Sequence, residues 1–241
     1  MRIMQTRTVL LVALVGCRSS KVSLDGNAPI LLFNGTGTSR ADVDAVEAIL
    51  NKSGLTYSTA SSAQLNSLGE QQLRRYRLVI IPGGNFIDIG NNLTPGTTAK
   101  LGAAIRNGMN YLGICAGGFL AGDTGYNGLN LTGGVRFGFY SAENRGIRKT
   151  VVKIGELDQY WEDGPEFTGW GKVVGEYPDG TPAIVEGSVG EGWVVLTGVH
   201  PEAPESWRSG LVFRTAATVD NDYAAALITA ALYRTPLSPR R

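Results

Sequence analysis

The chain carries 241 residues, a formal net charge of +1, a hydrophobic fraction of 43% and 33 glycines. A length of this order suits a single domain with a full core, and the glycines imply many turns and close backbone approaches. Charges of both signs are mixed along the chain without a basic cluster, which excludes a nucleic-acid footprint; net charge by itself points to no partner.

At the amino terminus, Arg2 and Arg7 precede a short apolar run, Val9 to Val15, ending in Leu14-Val15-Gly16-Cys17. A basic start and a run this short make a secretory signal, since a membrane span needs about 18 or more apolar residues. The last four residues resemble the lipobox of bacterial lipoproteins, in which the cysteine is acylated and becomes the first mature residue. On that reading residues 1–16 are the signal, Cys17 is the lipidation site and residues 17–27 form a tether. An ordinary cleaved signal, with no role for Cys17, is the alternative. Arg18 after the cysteine resembles outer-membrane sorting, so the expected location is the outer membrane or the periplasmic face, with a lipid as the only membrane contact. Cys115 is then the single thiol of the mature chain, unable to form an internal disulfide and flagged as free and reactive.

Residues 28–234 read as one domain. An apolar strand over 28–34 leads through Gly35-Thr36-Gly37-Thr38 to Ser39, which caps a helix over 40–52 with Val43, Val46, Ile49 and Leu50 on one face and Gly54 as the stop. A second strand over 55–59 precedes a helix over 63–73 capped by Ser61 or Ser62. Leu78-Val79-Ile80-Ile81 is a buried third strand ending in Pro82-Gly83-Gly84-Asn85. A Gly- and Asn-rich loop follows, then a helix near 98–107 and a fourth strand over 109–114. Strands alternating with helices predict a mostly parallel, open twisted sheet flanked by helices, a flavodoxin-like α/β fold. From about residue 125 shorter β pieces take over, near 134–140, 150–153, 172–176, 182–186 and 193–197. Asn221 is the expected cap of a closing helix over 222–233, and residues 235–241 the expected loose tail. No internal repeat is visible.

Chemistry concentrates in two scarce residues. Cys115 lies in Gly113-Ile114-Cys115-Ala116-Gly117, a strand–turn–helix elbow of the form Gly-x-nucleophile-x-Gly. Gly113 and Gly117 are needed because a sharp elbow leaves no room for neighbouring Cβ atoms. The turn sets sulfur at a helix start, which favours the thiolate, and the Ala116 N–H can hold an oxyanion. A small core cysteine is the alternative. His200, the one histidine, follows an apolar strand in Gly198-Val199-His200-Pro201-Glu202. Residues two apart on an extended segment point the same way, so Glu202 can orient the ring of His200 while His200 serves Cys115 as base and then acid. A histidine packed in a turn beside solvated acids is the alternative. Gly84 is the candidate second oxyanion donor. Asn85, Tyr160 and Trp161 are weaker candidates for a pocket wall, the last two within an aromatic and acidic stretch, 160–167, that can equally be a packed hairpin. Asn34-Gly35-Thr36-Gly37 reads as a cap rather than an anion site, because it lacks the glycines of a dinucleotide fingerprint. One histidine and one mature thiol make no zinc set, so no metal and no cofactor are expected.

These residues resemble the class I glutamine amidotransferase-like superfamily, whose third-strand Pro-Gly-Gly, Gly-x-Cys-x-Gly elbow and late His-x-Glu correspond to Pro82-Gly83-Gly84, Gly113 to Gly117 and His200-Pro201-Glu202. Within it the likeness is greatest to the amino-terminal domain of biotin–protein ligases, known also as a stand-alone bacterial domain. Asn34 to Ser39, Cys115-Ala116-Gly117-Gly118-Phe119, Gly138-Phe139-Tyr140, Arg145-Gly146 and Tyr160-Trp161 before Gly164-Pro165 carry that likeness. The resemblance implies a Cys-His-Glu site and amide chemistry. Glutamine-hydrolysing members carry Gln or His soon after the elbow, where this chain has Gly118-Phe119-Leu120, so glutamine is not implied as the substrate; neither is ligase activity. The expectation is an exported hydrolase or transferase acting on a small-molecule or envelope amide. Two rivals are a non-catalytic binding or scaffolding lipoprotein of the same fold, and an amidotransferase serving a separate partner.

Overall fold

The computed structural model describes residues 28–141, 146 and 149–240; Cys17 and the proposed signal and tether lie outside them, as does Arg145. The elements run β1 (Ile30–Phe33), α1 (Arg40–Lys52), β2 (Tyr57–Ala60), α2 (Ser62–Ser67), α3 (Glu70–Leu73), β3 (Leu78–Ile81), α4 (Phe86–Asn92), α5 (Pro95–Arg106), β4 (Asn110–Ile114), α6 (Ala116–Ala121), β5 (Thr150–Ile154), β6 (Leu157–Trp161), β7 (Lys172–Glu176), β8 (Pro182–Val189), β9 (Gly192–Thr197) and α7 (Ala217–Tyr233). One seven-stranded sheet has the order β2-β1-β3-β4-β9-β8-β7. Its first five strands are parallel, and β8 and β7 extend it antiparallel. β5 and β6 form a separate hairpin. This is the α/β architecture expected from the alternating elements, with antiparallel strands in the second half.

Both faces of the sheet are covered, which explains the near-continuous apolar strands. Leu31, Phe33, Val79, Ile81, Tyr111, Val194 and Leu196 face one core, filled from α2 to α6 by Leu65, Leu73, Ile89, Leu101, Ile105 and Phe119. Alternate residues, Ile30, Leu32, Leu78, Ile80, Leu112, Ile114 and Val195, face the other, against Val46 and Leu50 of α1, Leu227 and Ile228 of α7, and Ile154 and Trp161 of the hairpin. The period-two split sends each strand's side chains to opposite layers.

Several boundaries differ from expectation. The helix expected over 63–73 is two short helices, because Leu68 and Gly69 are extended and Gly69 starts a new first turn closed by the Gln72 side chain. The loop after β3 contains α4, begun by Asn85, whose side chain accepts from the amides of Ile87 and Asp88. α5 starts at Pro95 rather than near 98, with Thr94 as the cap. Residues 134–140 form no strand; Phe139 makes only an isolated bridge to Pro165. The closing helix begins at Ala217, and Asn221 lies inside it, its side-chain amide donating to the carbonyls of Pro201 and Ala203. The tail is tied down: the Leu237 amide donates to the buried Glu186 carboxylate, and the Arg240 amide to Val174 O at 2.6 Å. An edge strand with free carbonyls and a buried acid supplies those acceptors. Among the described residues no helix is long and apolar enough to cross a membrane.

Candidate active site

Four chain segments meet at the carboxyl ends of the parallel strands, where open α/β sheets place their ligand sites. The elbow after β4 holds Cys115 at φ 48°, ψ −102°, a conformation costly for a residue with a Cβ and one that persists only when its surroundings impose it. They do so here. The Cys115 amide donates to Thr197 O at the end of β9, and its carbonyl accepts from Gly118 and Phe119. A Cβ on Gly117 would lie 2.1 Å from Ile81 O, and one on Gly113 2.6 Å from Gly117 O. The Tyr111 hydroxyl braces the turn by donating to Gly117 O at 2.7 Å.

His200 sits just past β9. Thr197 shapes the approach by donating from its hydroxyl to Val199 O, and the His200 amide donates to Tyr160 O at 2.9 Å. The imidazole Nδ1–H donates to Glu202 Oε1 at 2.8 Å, so the two-residue spacing does bring the pair together. Both residues are buried, His200 at 5% exposure and Glu202 at 2%.

A second carboxylate, on a residue the sequence reading did not single out, faces the same nitrogen: Asp42 Oδ1 lies 3.1 Å from His200 Nδ1. Ser39 caps α1 and accepts from the Asp42 amide, which fixes Asp42 in the first helical turn, 6% exposed. The only local signal was Ser-x-x-Asp, the usual mark of a helix start. One Nδ1 proton points well at one oxygen only; it serves Glu202, and Asp42 Oδ1 keeps an ionic contact without a hydrogen-bond partner of its own. Gly83 permits the approach, for a Cβ there would be 1.9 Å from Asp42 Oδ1 and 2.8 Å from His200 Cε1.

The electrostatics follow from this crowding. Burial by itself pushes the His200 pKa down, but Glu202, Cys115 and Asp42 outweigh it and hold the ring well above its ordinary value. Burial raises the Glu202 carboxyl, and the imidazole offsets only part of that. Asp42 is held below the ordinary carboxylate range: burial opposes this, and the imidazole of His200 close beside it overcomes it. Asp42, His200 and Glu202 are also a set whose ligand atoms lie within 4.8 Å of one another, a grouping of residues far apart in the chain that local ligand spacing does not reveal. The ring nitrogen meets the two carboxylates at 2.8 and 3.1 Å, a hydrogen bond and an ion pair.

Cys115 and His200 both line one cavity of about 440 Å³, together with Asp42, Ser39, Gly84 and Asn85. The sulfur lies 3.8 Å from Glu162 O. Gly84, at φ 141°, sits opposite Thr38 in an isolated bridge, and Ala116 opens α6, where the first amides have no intrahelical acceptor. Tyr160 and Trp161 are buried and are not among the residues that line this cavity: Trp161 lies edge-on to Tyr140, and Tyr160 lies edge-on to His200 and donates from its hydroxyl to Glu162 at 2.6 Å. They close the β5–β6 hairpin, and it is the next residues, Glu162 and Asp163, that reach the cavity. Phe86, Ile87, Phe119 and Phe139 complete the wall.

A family model described as biotin-protein ligase, N terminal, matches residues 28–149, just over half of the 241. No curated protein matches the chain. Among solved structures, a glutamine amidotransferase aligns at 18% identity and TM-score 0.53, covering 73% of this chain and 91% of its own. A Thermoplasma acidophilum protein, assigned as one component of GMP synthase, aligns at 12% identity and TM-score 0.54, covering 86% and 96%. An exo-β-1,4-mannosidase of Opitutaceae bacterium strain TAV5 aligns at 13% identity and TM-score 0.55, over 83% of this chain but 36% of the mannosidase. At such identities these structures share a fold with the chain. The chain belongs to the biotin-protein ligase N-terminal family and has an α/β fold of the glutamine amidotransferase type.

Proposed function

We propose that the chain is an exported, lipid-anchored amide hydrolase or amide transferase working through a thioester on Cys115, with His200 as acid and base. The observation that carries the reading is the 2.8 Å bond from His200 Nδ1–H to Glu202, made in the cavity that the strained Cys115 also lines. Glu202 fixes the tautomer and orientation of the ring, leaving Nε2 for the reacting groups. His200 Nε2 takes the Cys115 thiol proton as the sulfur attacks the amide carbonyl, and the C=O electron pair moves to oxygen, where the amides of Ala116 and Gly84 stabilise the charge. The C–N bond breaks as the imidazolium gives its proton to the departing amine, leaving a thioester and a neutral ring. His200 then takes a proton from water, or from an acceptor amine, as that nucleophile attacks; the C–S bond breaks and the thiol and product form. Lipid attachment at Cys17 would hold this chemistry at an envelope surface.

Alkylation by iodoacetamide tests the assembled pair. Cys115 is expected to react fast near neutral pH in wild type and at least tenfold more slowly in His200→Ala, general-base assistance typically contributing about 10²–10⁴-fold. Equal, slow alkylation in both proteins would favour the rival, a binding lipoprotein that retains the fold without turnover.

A further inference from the structure

The cavity wall nearest the elbow is aromatic. Phe119 follows Cys115 by one turn of α6 and is held there by the hydrogen bond from its amide to Cys115 O. Phe86 stacks on it, with ring centroids 4.6 Å apart, and Phe139 packs on it at 4.5 Å and lies 6.1 Å from Phe86. All three line the cavity, and Phe86 and Phe139 are only half-buried. Phe86 also begins α4 two residues after Gly84, so the aromatic surface is joined by backbone both to the nucleophile and to a proposed oxyanion donor. A carbonyl placed on the sulfur with its oxygen towards Gly84 therefore has phenyl faces beside it. Burying apolar area there is favourable, whereas a zwitterionic group would lose its hydration against rings that return no hydrogen bond.

Resting on the thioester reading above, we propose that the Phe86–Phe119–Phe139 wall is an acyl-group pocket, and that the substrate is an amide whose acyl side carries an aromatic or bulky apolar group rather than the charged side of glutamine. Packing of a substrate ring against Phe86 and Phe139, both half-buried, adds an oriented aromatic contact to the burial. In the acylation step the Cys115 S–C bond forms, the bond from the carbonyl to the leaving group breaks, and the leaving group departs with its electron pair.

Two p-nitrophenyl esters that share a leaving group and differ only on the acyl side make the test: the 3-phenylpropionate and the acetate. The probe is the pre-steady-state release of p-nitrophenolate, each rate divided by that of the same ester with free cysteine. The normalised phenylpropionate rate is expected to exceed the acetate rate by roughly tenfold or more, the worth of burying one phenyl group. That ratio should shrink towards one in Phe86→Ser and Phe139→Ser and recover in Phe86→Leu. These two side chains are half-buried rather than core, and the ratio within each protein corrects for any loss of folded material. A wild-type ratio near one, or a ratio that persists in both serine variants, overturns the pocket while a Cys115-dependent burst leaves the nucleophile reading standing. If neither ester gives a burst that disappears in Cys115→Ala, the nucleophile reading fails and the pocket fails with it.

Discussion

Two carboxylates converge on one nitrogen of the chain's single histidine, and they do different work. Glu202 supplies direction through its 2.8 Å hydrogen bond, while Asp42, at 3.1 Å, supplies negative charge. Both are buried, so little solvent screens either contact. Glu202→Gln should therefore slow alkylation of Cys115 by roughly 10²-fold, because an amide no longer stabilises the imidazolium or selects its tautomer, while Asp42→Asn should slow it by about tenfold. Equal effects of the two changes would contradict this division of labour. The pH dependence of stability has a definite sign. His200 is held above its unfolded value, so its contribution is complete below about pH 6.5 and is lost as pH rises through the folded pKa, by at most about 1.4 kcal/mol per pH unit. Glu202, also raised, adds a loss of the same sign beginning above about pH 4.5; the lowered Asp42 contributes above its ordinary carboxylate range and loses that only as pH falls through its folded value. Urea unfolding from about pH 6.5 upward should show falling stability in wild type and a flatter profile in His200→Asn; parallel profiles would contradict the pairing.

Secondary-structure elements act here as holders of backbone geometry. The elbow depends on β4 and α6 meeting without side chains at Gly113 and Gly117. Gly117→Ala, which would put a Cβ 2.1 Å from the rigid carbonyl of Ile81, should cost about 1–3 kcal/mol or more in chemical unfolding; an unchanged midpoint would show that the elbow is looser than described. Asn221→Ala removes two donors from the backbone after His200 and should cost about 1–2 kcal/mol while slowing Cys115 alkylation. The elements readable from sequence are those with punctuation: α1, between Ser39 and Gly54, and β3 and β7 have the expected bounds. α4 was unreadable because Gly90, Asn91 and Asn92 break its apolar period, and the strand expected over 134–140 had apolar residues but no partner to pair with. Cys115, His200 and Glu202 announced themselves through scarcity and local spacing. Asp42 did not, since an acid in a first helical turn is ordinary, and its meeting with His200 is made by the sheet.

At the scale of the molecule, the strand order β1-β3-β4-β9 is what assembles the site, since it sets Ser39 and Asp42, the Gly83–Gly84 turn, the Cys115 elbow and His200 side by side along one edge. Both sheet faces are sealed by helices or the β5–β6 hairpin, which leaves the carboxyl edge for chemistry. The proposed export and lipid anchoring are tested separately, at Cys17. Radiolabelled palmitate should be incorporated by the wild-type chain and lost in Cys17→Ser; label that survives the substitution would reject lipidation at that residue. The central claim is that sulfur and imidazole form one coupled unit. Because the chain has one histidine, ¹⁵N-histidine NMR reports that ring alone. A titration midpoint well above the ordinary histidine value is expected in wild type, lowered in Cys115→Ala. A midpoint near 6.5 that ignores the cysteine substitution would contradict it.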